Sequence, residues 1–582
     1  MPLVIQKKAN GFEYASIRES FWDPVRKKYS SRTIKNYGRL DLALKLDPQA
    51  LEKMQAEASA YKQSRANEKQ RVLKERVSHL SVAAKSNADG HADNRTVMLG
   101  SCVYRQIWNK LDLQRKCRDL IKNTHIEFNF AEAVFYMTAA RCLMPDSKLG
   151  QWEKRNQYLY GASDLHLNHL YRSVSLLCKH KASIVGYLNK QIAKIYQRAV
   201  SVVLYDVTTY AFESQDVDTL RAFGFSKDCK VNQVQVVMGL LIDDRGIPID
   251  YELFAGNTNE FGTMVPLLEK LKRKYGIEKV IVTADRGLNS GANLLAIKKL
   301  GMQYVIAYRL KSAGEDIRRL IADDNGWQSY SANGIGNTDV SRYKISSETR
   351  QVKTVEKDGS VKRETITSNL LINYSARRAR KDAYDRQRLI DKAQRYAENP
   401  SLLKSDMRRG GKSYLKIDAD QLEAQVDTKR IENAEFYDGY YGIVYSDDSL
   451  TAHDVLAIHH SLWQIEESFR ISKSLLKARP CFHWTESRIR GHFLICFMAL
   501  VLHRLLELEL MNKGIELTSE EIIDALTGAL LLEAKGSGAE PVYCKAGTEG
   551  HFETIAEALG LGRLASLSNA ADVKRALHLR EL

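Results

Sequence analysis

The chain has 582 residues and a formal net charge of +16, from 87 Lys and Arg against 71 Asp and Glu. That length implies roughly three or four domains at about 150 residues each, and 44% apolar residues suffice for ordinary cores, which excludes a disordered chain. The basic balance favours a polyanionic partner, nucleic acid or an anionic membrane surface, although a solvated basic surface gives the same count.

The opening segment, MPLVIQKKANGFEYASIRES, lacks the apolar stretch of a signal peptide, so the expectation is a cytoplasmic protein. Residues 1–195 read mainly as helix. Gln49 to Arg71 has no Gly or Pro, and helical patterning recurs at Val103 to Leu111, Glu132 to Met144 and the basic Lys179 to Lys194. The polar stretch Ser78 to Arg95 reads as a loop. The many Lys, Arg and Tyr of this region suit phosphate contacts and base stacking; solvated helix faces explain them equally well.

From Val202 the pattern is β-branched and aromatic. Val202 to Tyr210 and Val231 to Ile242 read as strands, Asp243 to Gly246 as a tight turn, and Ile247 to Phe254 as a third strand. An amphipathic helix (Thr263 to Tyr275), an apolar strand (Lys279 to Ala284), a helix (Gly291 to Leu300) and a strand (Tyr304 to Tyr308) follow. Three antiparallel strands and then helix, strand, helix, strand is the order of an RNase H-like core, placed at 196–310. Residues 311–434 read as an insertion, mainly β, with a hairpin turn at Asp358-Gly359, a charged helix at Ala376 to Ala397 and a break at Gly410-Gly411. The core resumes over 435–510 with a strand at Tyr437 to Ser446 and a long helix at Ala452 to Lys477. A helical region, 511–582, closes the chain. The fold class is therefore α/β.

Several chemistries are not signalled. The eight cysteines include no C-x-x-C pair and read as core thiols; the fourteen histidines show no H-E-x-x-H; the glycines form no P-loop. The most apolar run, Phe493 to Leu502, is half the length of about 20 residues that a spanning helix needs, so no membrane partner is expected.

Three acids stand out. Asp206 lies inside an apolar strand, where a carboxylate is costly unless hydrogen-bonded, paired or bound to metal. Asp285 ends the strand VIVTA with Gly287 close behind, the place where α/β sites form, although a turn cap explains it too. Glu466 shares one broad helix face with Leu462, Ile465, Phe469 and Lys473; a plain ion pair is the alternative reading. Together, two strand-borne Asp and one helix-borne Glu form an oxygen donor set for Mg²⁺ or Mn²⁺. Two such ions can drive in-line displacement at phosphorus, with Lys473 on the DNA phosphate.

The Glu466 segment resembles the last motif of bacterial insertion-sequence transposases of the DDE class, Y-x2-R-x3-E-x6-K. Glu466 and Lys473 match in register, and Trp463 and Ile465 match the surrounding W-x-I-E. Asp206 in LYDVTTYAFES resembles the family's first motif and Asp285 in VTADRGLNSGANL its second. Similar too are Gly246 to Thr263, Ala376 to Ala393, Ala478-Arg-Pro480 and Arg488 to His492. The sequence departs at the Tyr and Arg positions, which hold His459 and Leu462; Arg470, one turn after Glu466, is a candidate substitute for the missing cation. The resemblance implies an RNase H-like catalytic core and metal ligation by Asp206, Asp285 and Glu466 with two ions. It also implies cleavage at terminal inverted repeats and strand transfer into target DNA. The partners would be double-stranded DNA, contacted by Lys473, Arg470 and His459, and further copies of the chain as a homodimer or higher assembly near the nucleoid. The N-terminal region would recognise the ends. Two other readings are a nuclease without strand transfer and a non-catalytic DNA-binding derivative.

Overall fold

A computed structural model describes residues 3–23, 28–79, 95–157, 164–213, 215–224, 233–258, 262–275, 280–331, 340–355, 360–399, 414–418, 423–534, 540–548 and 550–579. Asp358-Gly359, Gly410-Gly411, Cys229 and most of the expected Ser78–Arg95 loop lie outside them. The chain divides into two compact units, residues 1–99 with 528–582, and residues 100–527.

The first unit differs from the helical expectation at both of its ends. Leu3–Lys7, Glu13–Asp23 and Lys28–Arg39 form a three-stranded antiparallel sheet. Ala15, Leu40, Ala50 and Met54 make a small core where this sheet meets the Leu40–Leu46 and Ala50–His79 helices. Charged side chains hid the strand periodicity: Arg32 and Arg65 both pair with Glu19, and Lys35 with Glu57, so the sheet face carries ion pairs rather than apolar residues. The C-terminal part is mixed rather than helical. Leu530–Ala534, Val542–Ala546 and Leu567–Asn569 join Arg95–Met98 in a four-stranded sheet, accompanied by short helices at His551–Ala558 and Ala570–Ala576.

The second unit is built on a nine-stranded mixed sheet, whose strands we number β1 (Val202–Ala211), β2 (Gln235–Asp243), β3 (Pro248–Ala255), β4 (Ile281–Ala284), β5 (Gln303–Tyr308), β6 (Gln328–Ser331), β7 (Val340–Val355), β8 (Val361–Ser375) and β9 (Tyr440–Tyr445). Their order across the sheet is β6-β7-β8-β9-β5-β4-β1-β2-β3. β1, β2 and β3 run antiparallel; β4 lies parallel to both β1 and β5. The central strands are apolar along most of their length because helices cover both faces. Val203, Tyr205 and Val207 point to one face, packed with the Met264–Tyr275 and Gly291–Lys299 helices. The alternate residues of β1, Asp206 among them, point to the other. There Tyr210 meets Phe493 of the Glu486–Met511 helix at 5.0 Å between ring centroids. That helix is buried almost throughout because it packs against Leu167–Tyr196 and Phe130–Leu143. Among the described residues, no helix is long and apolar enough to cross a membrane.

The segment read as an insertion is not separate from this sheet. Its β7–β8 hairpin pairs through β9 with β5, extending the sheet at one edge. The helix expected at Ala376 to Ala397 forms at Ala376–Glu398, where Ser375 accepts the Arg378 N–H as an N-cap. The long helix expected over Ala452 to Lys477 is broken into Ala452–His460, Trp463–Arg470 and a π-helical turn at Ile471–Leu475.

Candidate active site

β1 and β4 run side by side, and their last paired residues are Tyr205 and Ala284. Asp206 and Asp285 are the next residue on each strand, so their backbones are neighbours across strands spaced about 4.8 Å apart. Asp206 is half-buried, and one of its carboxylate oxygens accepts the Val207 N–H at 2.7 Å. Asp285 is exposed just beyond the end of β4.

Glu466 is carried by the Trp463–Arg470 helix, which packs on β1. Ile465 and Phe469 are the buried anchors of this helix, while Glu466 stays exposed. A polar brace fixes its other side: Arg504 donates to the Gln464 carbonyl at 3.2 Å and to the Ser468 hydroxyl at 3.0 Å. Arg504 is itself paired with Glu507 at 2.7 Å. Burial alone would raise the Glu507 carboxyl, but the His503 and Ser519 hydrogen bonds and the Arg504 charge outweigh it and hold the group ionised.

Asp285, Glu466 and His459 line one cleft of about 930 Å³, together with Arg309, Lys311, Arg378, Asp382 and Tyr441. A second cleft of about 670 Å³ shares Arg378, Tyr441, His459 and Glu466 and continues past Arg377, Lys381 and Trp463. Asp206 lies on the adjoining strand and lines neither. His459 is held neutral: burial lowers it first and the Arg378 charge next, to about 4, against the opposing pull of Asp285. Its ring stacks on Tyr441 at 5.8 Å, and the Arg378 guanidinium lies 5.0 Å from the centroid of the same Tyr441 ring.

Lys473 and Arg470 are not among the residues that line the two clefts. A π turn, closed by the Leu476 N–H to the Ile471 carbonyl, follows the Glu466 helix and contains Lys473. Lys473 Nζ is drawn over the Tyr210 ring at 5.7 Å, while Tyr210 shares a hydrogen bond with Ser472. Arg470 is engaged by Glu467 at 2.6 Å and by Glu520, and both acids raise its pKa. Arg378, Asp382, Tyr441, Arg309 and Lys311 were not anticipated as site residues. Ala376 to Ala393 was marked as a characteristic stretch, but treating 311–434 as an insertion hid its proximity to Glu466.

The donor chemistry of Asp206, Asp285 and Glu466, oxygen ligands only, fits a hard divalent cation. Among the described residues, however, no three acidic, histidine or cysteine side chains stand together closely enough to hold one.

No curated protein matches the sequence. Among solved structures, a cryo-EM structure of the piggyBac transposase synaptic complex with hairpin DNA aligns at 7% identity with a TM-score of 0.33, over 75% of this chain and 83% of that one. The family model described as the transposase DDE domain matches residues 201–502, a span that holds Asp206, Asp285, Glu466 and the cleft, and that is more than half of the sequence. The chain belongs to the DDE transposase family.

Proposed function

We propose that this transposase cuts DNA at the terminal inverted repeats of its element and joins the freed 3′ ends to target DNA, with Asp206, Asp285 and Glu466 as the metal-binding carboxylates. The observation that carries the reading is the meeting of Asp285 and Glu466 on one cleft, with Asp206 at the neighbouring position on β1. The strand order β3-β2-β1-β4-β5, with β4 and β5 parallel to β1, supports an RNase H-like core. Two Mg²⁺ or Mn²⁺ ions would supply Lewis-acid charge at the scissile phosphate. Asp206, Asp285 and Glu466 would hold the ions, with DNA phosphate oxygens as the further oxygen donors that Mg²⁺ commonly takes. Asp206 and Asp285 hold their place through the strand pairing, and Glu466 through the Arg504 brace.

Water attacks the phosphodiester at the element end in the first step and displaces its 3′ oxygen as a 3′-hydroxyl; in the second, that hydroxyl attacks a target phosphodiester and displaces the target strand's own 3′ oxygen. Residues 1–99 with 528–582 are the candidate end-recognition unit, and pairing of two ends calls for a homodimer or larger assembly at the nucleoid. Lys473 and His459 remain candidate DNA contacts. Arg470, neutralised by two carboxylates, serves in this reading as a brace of the Glu466 helix.

The test is a supercoiled plasmid carrying the coding region with its native flanking DNA, incubated with the full chain in Mg²⁺. Glu466→Gln is expected to lower nicking at least about 1,000-fold while DNA binding in EDTA persists, a loss of the size seen when a group acting in the transition state is removed. Nicking at the wild-type rate sinks the assignment. Nicked ends that never appear joined to a second plasmid favour a nuclease.

A further inference from the structure

The helix that carries Glu466 offers little positive charge to the cleft. Leu462, one turn before Glu466, is apolar. Arg470 is paired with Glu467 and Glu520, and the Lys473 ammonium lies over the Tyr210 ring. A polyanionic strand approaching Asp285 and Glu466 nevertheless needs a cation beside them, since the acids repel it.

That cation comes from a different element. Arg378, in the first turn of the Ala376–Glu398 helix, lines both clefts, as do Tyr441, His459 and Glu466. The two clefts therefore meet along these four residues, of which Arg378 is the one cation with a half-exposed side chain. Its ion-pair partner Asp382 is 3.6 Å away and also accepts the Gly439 N–H. The Tyr441 ring contacts both the Arg378 guanidinium and the His459 ring, so the guanidinium is steered by an aromatic side chain tied to the Ala452–His460 helix. Arg309 and Lys311, which line the larger cleft, are exposed, and among the described residues no ion pair is seen for either.

We infer that Arg378 is the residue that holds the phosphate of the reacting DNA strand beside Asp285 and Glu466, and that the strand crosses between the two clefts at this side chain. The inference rests on the proposed active site but concerns a separate residue. A planar guanidinium braced by a ring can grip a phosphate with two parallel N–H groups, which an ammonium cannot.

The same plasmid assay, together with binding of a nicked 30-base-pair duplex in EDTA across a salt series, tests it. Arg378→Ala should weaken metal-free binding about 10-fold, reduce the salt dependence of binding by about one phosphate contact, a slope change of about 0.9, and slow nicking at least 100-fold. Arg378→Lys should keep the salt slope and still nick about 10-fold slower. Leu462→Arg added to Arg378→Ala should restore part of the nicking, because it returns a cation to the cleft from the other side. Arg388→Ala, an exposed change on the same helix beyond the clefts, is the control for general loss of charge. If Arg378→Ala matches Arg388→Ala in both binding slope and nicking, the inference is overturned even where Glu466→Gln abolishes nicking. If Glu466→Gln nicks normally, the active-site reading fails first, and the metal-free salt slope of Arg378→Ala still judges the phosphate contact.

Discussion

Two acidic groupings on the same sheet are handled in opposite ways. At the β3 edge, Asp250 is fully buried and pairs with Lys270 at 2.7 Å, while Glu252 beside it takes Lys181 at 3.1 Å and Lys270 at 3.3 Å. In the middle of the sheet, Asp285 and Glu466 are exposed on a cleft whose cations face them from other walls. The first grouping is closed: every charge is answered inside the protein, as burial demands. The second is left open, and an open acid in a basic protein is where an external cation and a phosphate can both be accommodated. Under the proposed function, the β3 cluster is a stabilising device and the cleft the working one.

The sharpest way to break that contrast is to remove one acid from the cleft. Glu466→Gln should leave thermal stability within about 0.5 kcal/mol, since the group is exposed, while nicking falls at least about 1,000-fold. Lys270→Met makes the complementary change. It leaves Asp250 buried without its nearest cation, and loss of one partner of a buried pair costs about 3–5 kcal/mol. Denaturant unfolding of the second unit should register that loss, while nicking per folded molecule stays unchanged. If Lys270→Met instead abolishes nicking without lowering the unfolding midpoint, the β3 cluster is functional and the division fails.

These cases also show what sequence carried. Asp206 and Asp285 stood out in the sequence as acids within or at the end of apolar strands, and β1 to β5 were legible because central strands are apolar along most of their length. The strands Glu13–Asp23 and Lys28–Arg39 were not, because Arg32, Arg65 and Glu19 cover their face with ion pairs. Nor was the β7–β8 hairpin's place in the sheet: its pairing to β9 spans a long sequence separation, and strand periodicity says nothing about the partner. The break of the expected Ala452 to Lys477 helix, with a π turn at Ile471–Leu475, was not legible from spacing either. Arg378 was read as one cation among many in a charged helix, and only the fold brings it to Glu466.

Between the closed and open groupings stands Arg504, a buried-side brace that serves the open one. Arg504→Met removes charge-assisted hydrogen bonds to Gln464, Ser468 and Glu507, each class of bond contributing about 1.5–3 kcal/mol. His503 and Ser519 still reach Glu507, which limits the penalty to the lower part of that range. The expected result is a loss of about 2 kcal/mol in stability with nicking about 10-fold slower and metal-free DNA binding unchanged. Unchanged nicking in a destabilised protein would show that Glu466 does not depend on this support.

Arg470 gives the smallest effect and the most delicate test of the contrast, because it lies on the Glu466 helix and yet belongs to the closed type. Its guanidinium is shared by Glu467 and Glu520, but the three side chains are 24–45% exposed, so solvent screens the pairs. Arg470→Ala should therefore cost under about 1 kcal/mol, with a loss that shrinks further at high salt. The salt slope of DNA binding should not move, because a cation already answered by two acids releases few counterions from a phosphate. A slope reduced by a full phosphate contact would mean that Arg470 leaves its acids when DNA arrives, and would transfer it from the closed grouping to the open one.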